Sequence, residues 1–171
     1  MNDAERWRAI QSGDAPEYTR FYRETAPRLI AYLCRIVGSQ EAAQDVAQEI
    51  YTHIWQTHAG YDPQRGALLT WLYGIARNRA RDWWRRYQPQ EENLPECVDP
   101  QRTESATMMM DLLHQLPEEQ RSLLWLREVE GQSYDELAVI LRIPVGTVRS
   151  RLFTAREALR KIWFSSKGRA Q

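Results

Sequence analysis

Residues 133–153 read SYDELAVILRIPVGTVRSRLF, and this stretch decides the fold of the C-terminal part of the chain. Its first four residues, Ser133-Tyr-Asp-Glu136, are typical of a capping box, in which side chains satisfy free backbone amides at a helix start. Ile143-Pro144 then predicts a tight turn into a second helix. A short helix, a short turn and a longer helix whose start faces outward form a helix-turn-helix.

The second helix of this motif is predicted from Val145 to about Trp163, because its apolar residues recur at spacings of three and four. The stripe expected to be buried comprises Val145, Val148, Leu152, Ala155, Leu159 and Ile162. The opposite side carries Gly146, Arg149, Ser150, Phe153, Glu157 and Arg160. This outward set suits a DNA major groove, since arginine reads guanine or phosphate and an exposed phenylalanine contacts a thymine methyl. An ordinary helical bundle with a solvated arginine face is the alternative.

The rest of the chain is also predicted to be helical, because apolar residues recur at three and four and β-branched residues form no alternating runs. In the C-terminal part we expect helices over 108–116 and from Pro117 to Gly131. In the N-terminal part we expect helices over about 3–11, from the capping box Asp14-Ala-Pro-Glu17 to Gly38 with a bend or restart at Pro27, from the cap Ser39 to about Gln56, and over 67–87. The fold class is therefore all-α.

The predicted helix over 67–87 is strongly basic, with five arginines against Asp82 alone between Gly74 and Tyr87. Its buried side is expected to contain Leu68, Leu72, Ile75, Ala76, Trp83 and Tyr87. Its other side is expected to carry Trp71, Gly74, Arg77, Asn78, Arg81 and Arg85. Arginines neutralise phosphates, asparagine reads a base edge and tryptophan stacks on an unpaired base, so this face favours strand-separated or distorted DNA over a plain duplex. A solvated basic face is the alternative.

The predicted helix that begins at Ser39 has an acidic outer face instead. Its apolar stripe comprises Ala42, Ala43, Val46, Ala47, Ile50 and Ile54. The outward residues are Glu41, Asp45, Gln48, Thr52 and Gln56, with Glu49 at the edge. Such a face repels phosphates and suits a protein partner with basic groups, a contact that Tyr51 and Trp55 would extend. A solvated helix face is the alternative.

Between the two helical parts, residues 88–105 read QPQEENLPECVDPQRTES, which holds three of the eight prolines and no periodic pattern. This composition predicts a flexible linker. Residues 1–88 carry 12 basic and 10 acidic side chains, and residues 106–171 carry 10 and 8. The formal net charge of zero therefore combines two mildly basic parts with an acidic linker.

Length and composition exclude several classes of protein. The 171 residues allow one domain or two small ones, and no run of about 18 apolar residues occurs. The charged N-terminus MNDAERWRAI lacks the apolar core of a signal peptide, so we expect a cytoplasmic chain without membrane insertion. Cys34 and Cys97 have no CxxC partner and the histidines share no ligand spacing with them, which predicts no disulfide framework, metal or cofactor. No arrangement of a nucleophile and base supports an enzyme.

Together these motifs resemble those of bacterial RNA polymerase sigma factors of the extracytoplasmic-function group, from about Tyr18 to Lys161. The core-polymerase-binding helix of that family is similar to DVAQEIYTHIW at 45–55. The segment that opens and reads the minus-10 element is similar to YDPQRG at 61–66 with TWLYGIARNRARDWWRR at 70–86. The minus-35-reading domain is similar to LPEEQRSLLWLREVEGQSYDELAVILRIPVGTVRSRLFTARE at 116–157.

The resemblance implies a region 2-like domain over 1–88, an acidic linker over 89–105 and a four-helix, region 4-like helix-turn-helix domain over 106–171. It implies that the clamp coiled coil of the largest polymerase subunit is bound by Asp45, Gln48 and Glu49, and the outer helix face adds Thr52. It implies minus-10 contacts by Asn78 and Arg81, with a flipped base held by the loop 63–69, and the basic helix face adds Trp71, Arg77 and Arg85. It implies minus-35 contacts by Arg149, Ser150 and Phe153, to which we add Gly146 and Thr147 at the start of the same helix. Leu68 departs from an aromatic common in the family, and Thr154 from a basic residue that several members have.

The expected function is that of an alternative sigma factor, which binds core RNA polymerase and directs initiation at promoter DNA. The resemblance also implies control by an anti-sigma factor. Catalysis belongs to the polymerase, so the chain itself is not expected to be an enzyme. The alternative is a stand-alone helix-turn-helix regulator that binds duplex DNA without polymerase, a function that leaves the basic face of the helix over 67–87 without a purpose.

Overall fold

The computed structural model describes residues 1–58, 60–87, 109 and 111–168, and the regular structure of these residues is helical. They form two compact units, which confirms the all-α class and the two small helical domains. The predicted linker over 89–105, Cys97 and the beginning of the helix predicted over 108–116 lie outside the described residues. Within the described part of the chain, every helix is too short or too polar to cross a bilayer.

The N-terminal unit consists of four helices, α1 (Asp3–Gln11), α2 (Ala15–Val37), α3 (Gln40–Thr57) and α4 (Leu68–Tyr87). A short 3-10 turn, Pro63–Arg65, precedes α4. Helix α3 packs against both α2 and α4, so its apolar side forms the centre of the core. Tyr32 of α2 and Tyr73 of α4 are fully buried and meet edge to face, with ring centroids 5.3 Å apart.

Backbone caps fix where α2 ends and α3 begins, as predicted. Gly38 adopts a left-handed conformation with φ of 78° at the end of α2, a conformation that glycine adopts without a steric penalty. The Ser39 hydroxyl then accepts from the Ala42 amide at 3.3 Å. These two caps set the angle at which α3 leaves α2.

One prediction for α2 is corrected and another is narrowed. Asp14 caps the helix by accepting from the Glu17 amide at 2.9 Å, but the capping box is only half formed. The Glu17 carboxylate instead pairs with Arg6 at 2.8 Å and Arg20 at 3.0 Å, because a buried carboxylate gains more from two guanidinium groups than from one amide. The helix is continuous through Pro27, so the predicted restart does not occur, and the alternative of a bend there stays a prediction.

Cys34 lies in the core of the N-terminal unit. Its side chain is 2% exposed, beside other apolar residues of α2.

The described C-terminal unit begins with helical residues 111–114, followed by α5 (Glu118–Leu124), α6 (Tyr134–Leu141) and α7 (Val145–Gly168). Helix α5 continues into a π-helical turn, Trp125–Val129, that the periodicity did not predict. The capping box before α6 is confirmed in both directions: the Glu136 amide donates to the Ser133 hydroxyl at 3.1 Å, and the Ser133 amide donates to the Glu136 carboxylate at 2.7 Å.

The two helices of the helix-turn-helix are joined at the predicted turn. Arg142 ends α6 in a left-handed conformation with φ of 55°, and the Pro144 carbonyl accepts from the Thr147 and Val148 amides that begin α7. The centre of the predicted stripe on α7 is buried, with Val148, Leu152 and Ala155 each 0% exposed. The ends of the stripe, Val145, Leu159 and Ile162, are only partly buried, and α7 extends beyond the predicted end at Trp163.

Candidate nucleic-acid and protein interfaces

The outer face of α3 is acidic and open, as its sequence predicted. Its described side chains Glu41, Asp45, Gln48, Glu49, Thr52 and Gln56 are all exposed. On the opposite side Ala43, Val46, Ala47, Ile50 and Ile54 are at most 4% exposed. We call the exposed set the α3 acidic face. Neither Asp45 nor Glu49 makes an ion pair with any described residue, so both carboxylates are available to a partner.

The aromatic residues of α3 pack inward rather than extend that face. Tyr51 is 3% exposed and its hydroxyl shares a hydrogen bond of 2.7 Å with Thr25. Its burial raises its pKa, and burial also raises the pKa of Tyr18 to about 12. Trp55 is half-buried against the Tyr18 ring, with centroids 4.8 Å apart. The expected partner contact by Tyr51 is therefore wrong, because α2 supplies an aromatic surface that covers it.

Two grooves run along the α3 acidic face where it meets α4. The larger, of about 470 Å³, is lined by Asp45, Gln48, Glu49, Thr52, His53, Gln56 and Arg79. The smaller, of about 270 Å³, is lined by Ser39, Glu41, Ala42, Asp45, Val46, Glu49, Arg79, Asp82, Trp83, Arg86 and Tyr87. Arg79 lies in both grooves beside Asp45 and Glu49. The sequence did not single out Arg79 as a residue of this surface. Its spacing from Trp83 and Arg86, four and seven residues later, places the three on one side of the helix and could have indicated it.

The buried side of α4 is rotated relative to the prediction. Arg77, expected to face outward, is 6% exposed, whereas Tyr87, expected to be buried, is 63% exposed. Ile75 and Trp83 are only partly buried. The reason is that Tyr73 and Ala80, which the prediction left out of the core side, are fully buried and turn the neighbouring Arg77 inward.

The exposed basic part of α4 is consequently smaller than its five arginines suggested. Asn78, Arg81 and Arg85 are exposed at spacings of three and four and share one side of the helix, as predicted. Arg85 forms an ion pair with Asp82 one turn earlier, which offsets part of its charge. The side chains of Asn78 and Arg81 are the ones best placed to meet a nucleic acid.

Trp71 belongs to a packed aromatic cluster. Its ring lies 5.0 Å from Trp7 and 5.8 Å from Tyr61, measured between centroids, and it is half-buried. Trp71 is therefore partly open and partly packed, and its stacking on an unpaired base stays a prediction. Leu68, at the start of the same helix, is 2% exposed, so this departure from the family aromatic faces the core.

The start of α7 presents the outward face that the sequence predicted. Gly146, Arg149 and Ser150 are exposed, Thr147 is partly buried, and Phe153 is 69% exposed. The Ser150 hydroxyl donates to the Thr147 carbonyl at 3.0 Å, and Thr154 donates to the Ser150 carbonyl at 3.1 Å. These bonds fix the orientation of both hydroxyl groups. The Ser150 hydroxyl oxygen can still accept a hydrogen bond from a ligand.

Some arginines of α7 form ion pairs within the protein, whereas one is available to contact DNA. Arg156 pairs with Glu128 at 2.6 Å, which raises the pKa of Arg156 and joins α7 to the π-helical turn. Arg160 pairs with Glu157 at 3.7 Å, and Arg151 approaches Glu119 at 3.9 Å. Arg149 makes no ion pair with any residue that the structure describes. An unpaired guanidinium beside an exposed phenylalanine is suited to a base edge.

Comparison with known families matches both units. Residues 21–90 match Sigma-70 region 2, and residues 106–159 match Sigma-70, region 4. The RNA polymerase sigma-H factor of Pseudomonas aeruginosa is 33% identical over 174 residues, covering 89% of each chain. The ECF RNA polymerase sigma-E factor of Escherichia coli K12 is 33% identical over 172 residues, covering 88% of each chain.

Solved structures share the fold. CnrH in complex with the cytosolic domain of CnrY is similar with a TM-score of 0.75 and 21% identity, covering 95% of this chain and 97% of that one. The sigma factor RpoE in complex with the anti-sigma factor NepR from Bartonella quintana is similar with a TM-score of 0.69 and 22% identity, covering 86% and 96%.

Adjacent residues of α7 provide a direct test of its orientation. Leu152→Ala should lower the free energy of unfolding by about 2–5 kcal/mol, because Leu152 is fully buried and its truncation leaves a cavity. Phe153→Ala should change it by less than about 0.5 kcal/mol, because the Phe153 ring is mostly in solvent. Denaturant unfolding of both full-length variants makes the measurement, and equal losses would contradict the outward position of Phe153.

Proposed function

The chain belongs to the extracytoplasmic-function group of the sigma-70 family of bacterial RNA polymerase sigma factors, and we propose how its surfaces direct initiation. As a member it is a DNA-binding transcription initiation factor that recognises promoters. In the proposed mechanism residues 1–88 dock on core polymerase and engage the minus-10 element, residues 106–171 read the minus-35 element, and 89–105 connect them. The polymerase catalyses RNA synthesis in the cytoplasm, and this chain selects where it begins.

The observation that carries the proposal is the unpaired α3 acidic face. Asp45, Glu49 and the neighbouring Gln48 and Thr52 are exposed along two turns of one rigid helix. An acidic face would repel a phosphate backbone, so it could take no part in DNA contact by a stand-alone regulator. Basic groups of the clamp coiled coil in the largest polymerase subunit would complement these carboxylates and steer association.

The DNA-facing roles follow from exposure and chemistry. On α4, Asn78 and Arg81, with Arg85 beside them, would meet the minus-10 strand, and the exposed loop before α4 would hold a flipped base. Arg77 is not part of this surface because it is buried. On α7, Arg149, Ser150 and Phe153 would enter the major groove, while Gly146 and Thr147 allow the helix start to approach a phosphate.

Regulation by a protein partner completes the proposal. RpoE from Bartonella quintana was solved with the anti-sigma factor NepR, and CnrH with the cytosolic domain of CnrY. We extend to this chain the idea of an anti-sigma factor that keeps it from core polymerase. The acidic grooves beside Arg79 offer such a partner a mixed surface of carboxylates, guanidinium groups and aromatic rings.

Run-off transcription tests the function as a whole. With purified core polymerase and genomic fragments, the full-length protein should direct initiation from discrete start sites preceded by shared minus-10 and minus-35 sequences. Core polymerase alone serves as the control. A protein that footprints duplex DNA by itself and never directs initiation would instead support the stand-alone regulator.

Glu49→Arg tests the docking surface. We expect it to abolish core binding, because an added positive charge would face basic groups of the partner, and like charges at an interface cost several kcal/mol. The fold should be unchanged, since Glu49 is exposed. Core affinity is measured by titration against labelled polymerase. Asp111→Arg makes the same change of charge on an exposed residue of the other unit and should bind core normally; weakened binding by both would point to net charge alone.

Arg149→Ala tests base reading by α7. It should cost about 1–3 kcal/mol of binding at one position of the minus-35 element and relax specificity there. The measurement compares holoenzyme affinity for promoters that differ by single bases. An equal loss at every sequence would mean that Arg149 contacts only phosphate.

A further inference from the structure

Helix α1 lies before the residues that match Sigma-70 region 2, yet it contacts both ends of the exposed loop that precedes α4. We propose that α1 positions this loop, residues 60–67, for minus-10 recognition, with Asp3 as the positioning residue. The inference rests on the function proposed above. It assigns to α1 an effect on minus-10 specificity that does not require α1 to contact DNA.

The first contact is a helix cap supplied from 65 residues earlier in the chain. The Asp3 carboxylate accepts a hydrogen bond of 2.8 Å from the amide of Leu68, the first residue of α4. Ala67, which precedes it, has no side-chain acceptor with which to cap the helix. A carboxylate at this end also interacts favourably with the helix dipole. Asp3 therefore fixes the point at which the loop becomes helix.

The second contact is aromatic and joins the two sides of the loop. Trp7 of α1 is 3% exposed and packs edge to face on Tyr61, at 5.8 Å between centroids, and on Trp71, at 5.0 Å. The Tyr61 hydroxyl in turn donates to the Gly66 carbonyl at 3.0 Å, which closes the loop across its base. Burial and the nearby carboxylates of Asp3 and Asp62 raise the pKa of Tyr61, so this donor keeps its proton.

The third contact lies where the chain leaves α3. The Gln11 side-chain amide donates to the His58 carbonyl at 3.4 Å. Between these anchors the tip of the loop, Asp62 to Arg65, is exposed and closed by its own 3-10 turn. A loop whose two ends are fixed and whose tip is open presents a single conformation to a DNA base. Discrimination between different DNA bases requires such a fixed conformation.

Asp3→Ala and Asp14→Ala form a matched pair for the test. Both remove a carboxylate that caps a helix of the same unit, since Asp14 accepts from the Glu17 amide at 2.9 Å, but only Asp3 touches the loop junction. Each full-length variant is assayed for thermal unfolding, core affinity and run-off transcription from a mapped promoter and every single-base variant of its minus-10 element.

We expect Asp3→Ala to reduce discrimination between bases of the minus-10 element by about fivefold, with core affinity unchanged. Loss of one helix cap costs about 1 kcal/mol, which corresponds to that factor. Asp14→Ala should keep wild-type discrimination. Asp3→Asn retains a side-chain oxygen that can accept from Leu68 and should stay within about twofold of wild type. Wild-type discrimination by Asp3→Ala, or an equal loss by Asp14→Ala, would overturn the proposal. A wild-type protein that initiates nowhere would overturn the proposed function instead.

Discussion

Burial of the apolar stripe of α3 against α2 and α4 is the constraint on which the N-terminal unit depends. Ala43, Ala47 and Ile50 are at most 3% exposed, and small residues at this position allow the helices to approach closely. Because successive residues of a helix are rotated by about 100°, fixing this stripe also fixes the opposite one. The outward position of Asp45 and Glu49 is thus a consequence of packing.

Packing also decides which arginines of α4 are available. A count of charges treats the helix as one basic surface, but Arg77 is buried, Arg79 and Arg86 line a groove beside α3, and Arg85 is paired with Asp82. What remains exposed and outside these contacts is a narrower strip at Asn78 and Arg81. A strip of this size suits a positioned contact better than strong electrostatic capture, because phosphate affinity scales with the number of charges neutralised.

The sequence predicted most where the stripe is aliphatic. For α3 and the centre of α7, alanine, valine, leucine and isoleucine mark the buried side, and local caps such as Ser133 depend only on residues nearby. The prediction failed where large amphipathic side chains can lie on either side, as at Tyr51 and Arg77, whose burial depends on partners far along the chain. The contact of Asp3 with Leu68 spans 65 residues, and no local pattern contains it.

The charge balance of the chain explains why it would depend on the polymerase to reach promoter DNA. Each helical part has a net charge of only +2 and the connecting residues are acidic, so neither part has strong general affinity for DNA. Two weak readers in one chain nevertheless gain from each other once both sites are within reach, because the second binding event becomes intramolecular. Docking of the α3 acidic face on polymerase would hold both readers near the promoter. Low intrinsic affinity then becomes an advantage, since the free factor does not occupy DNA that the polymerase has not reached.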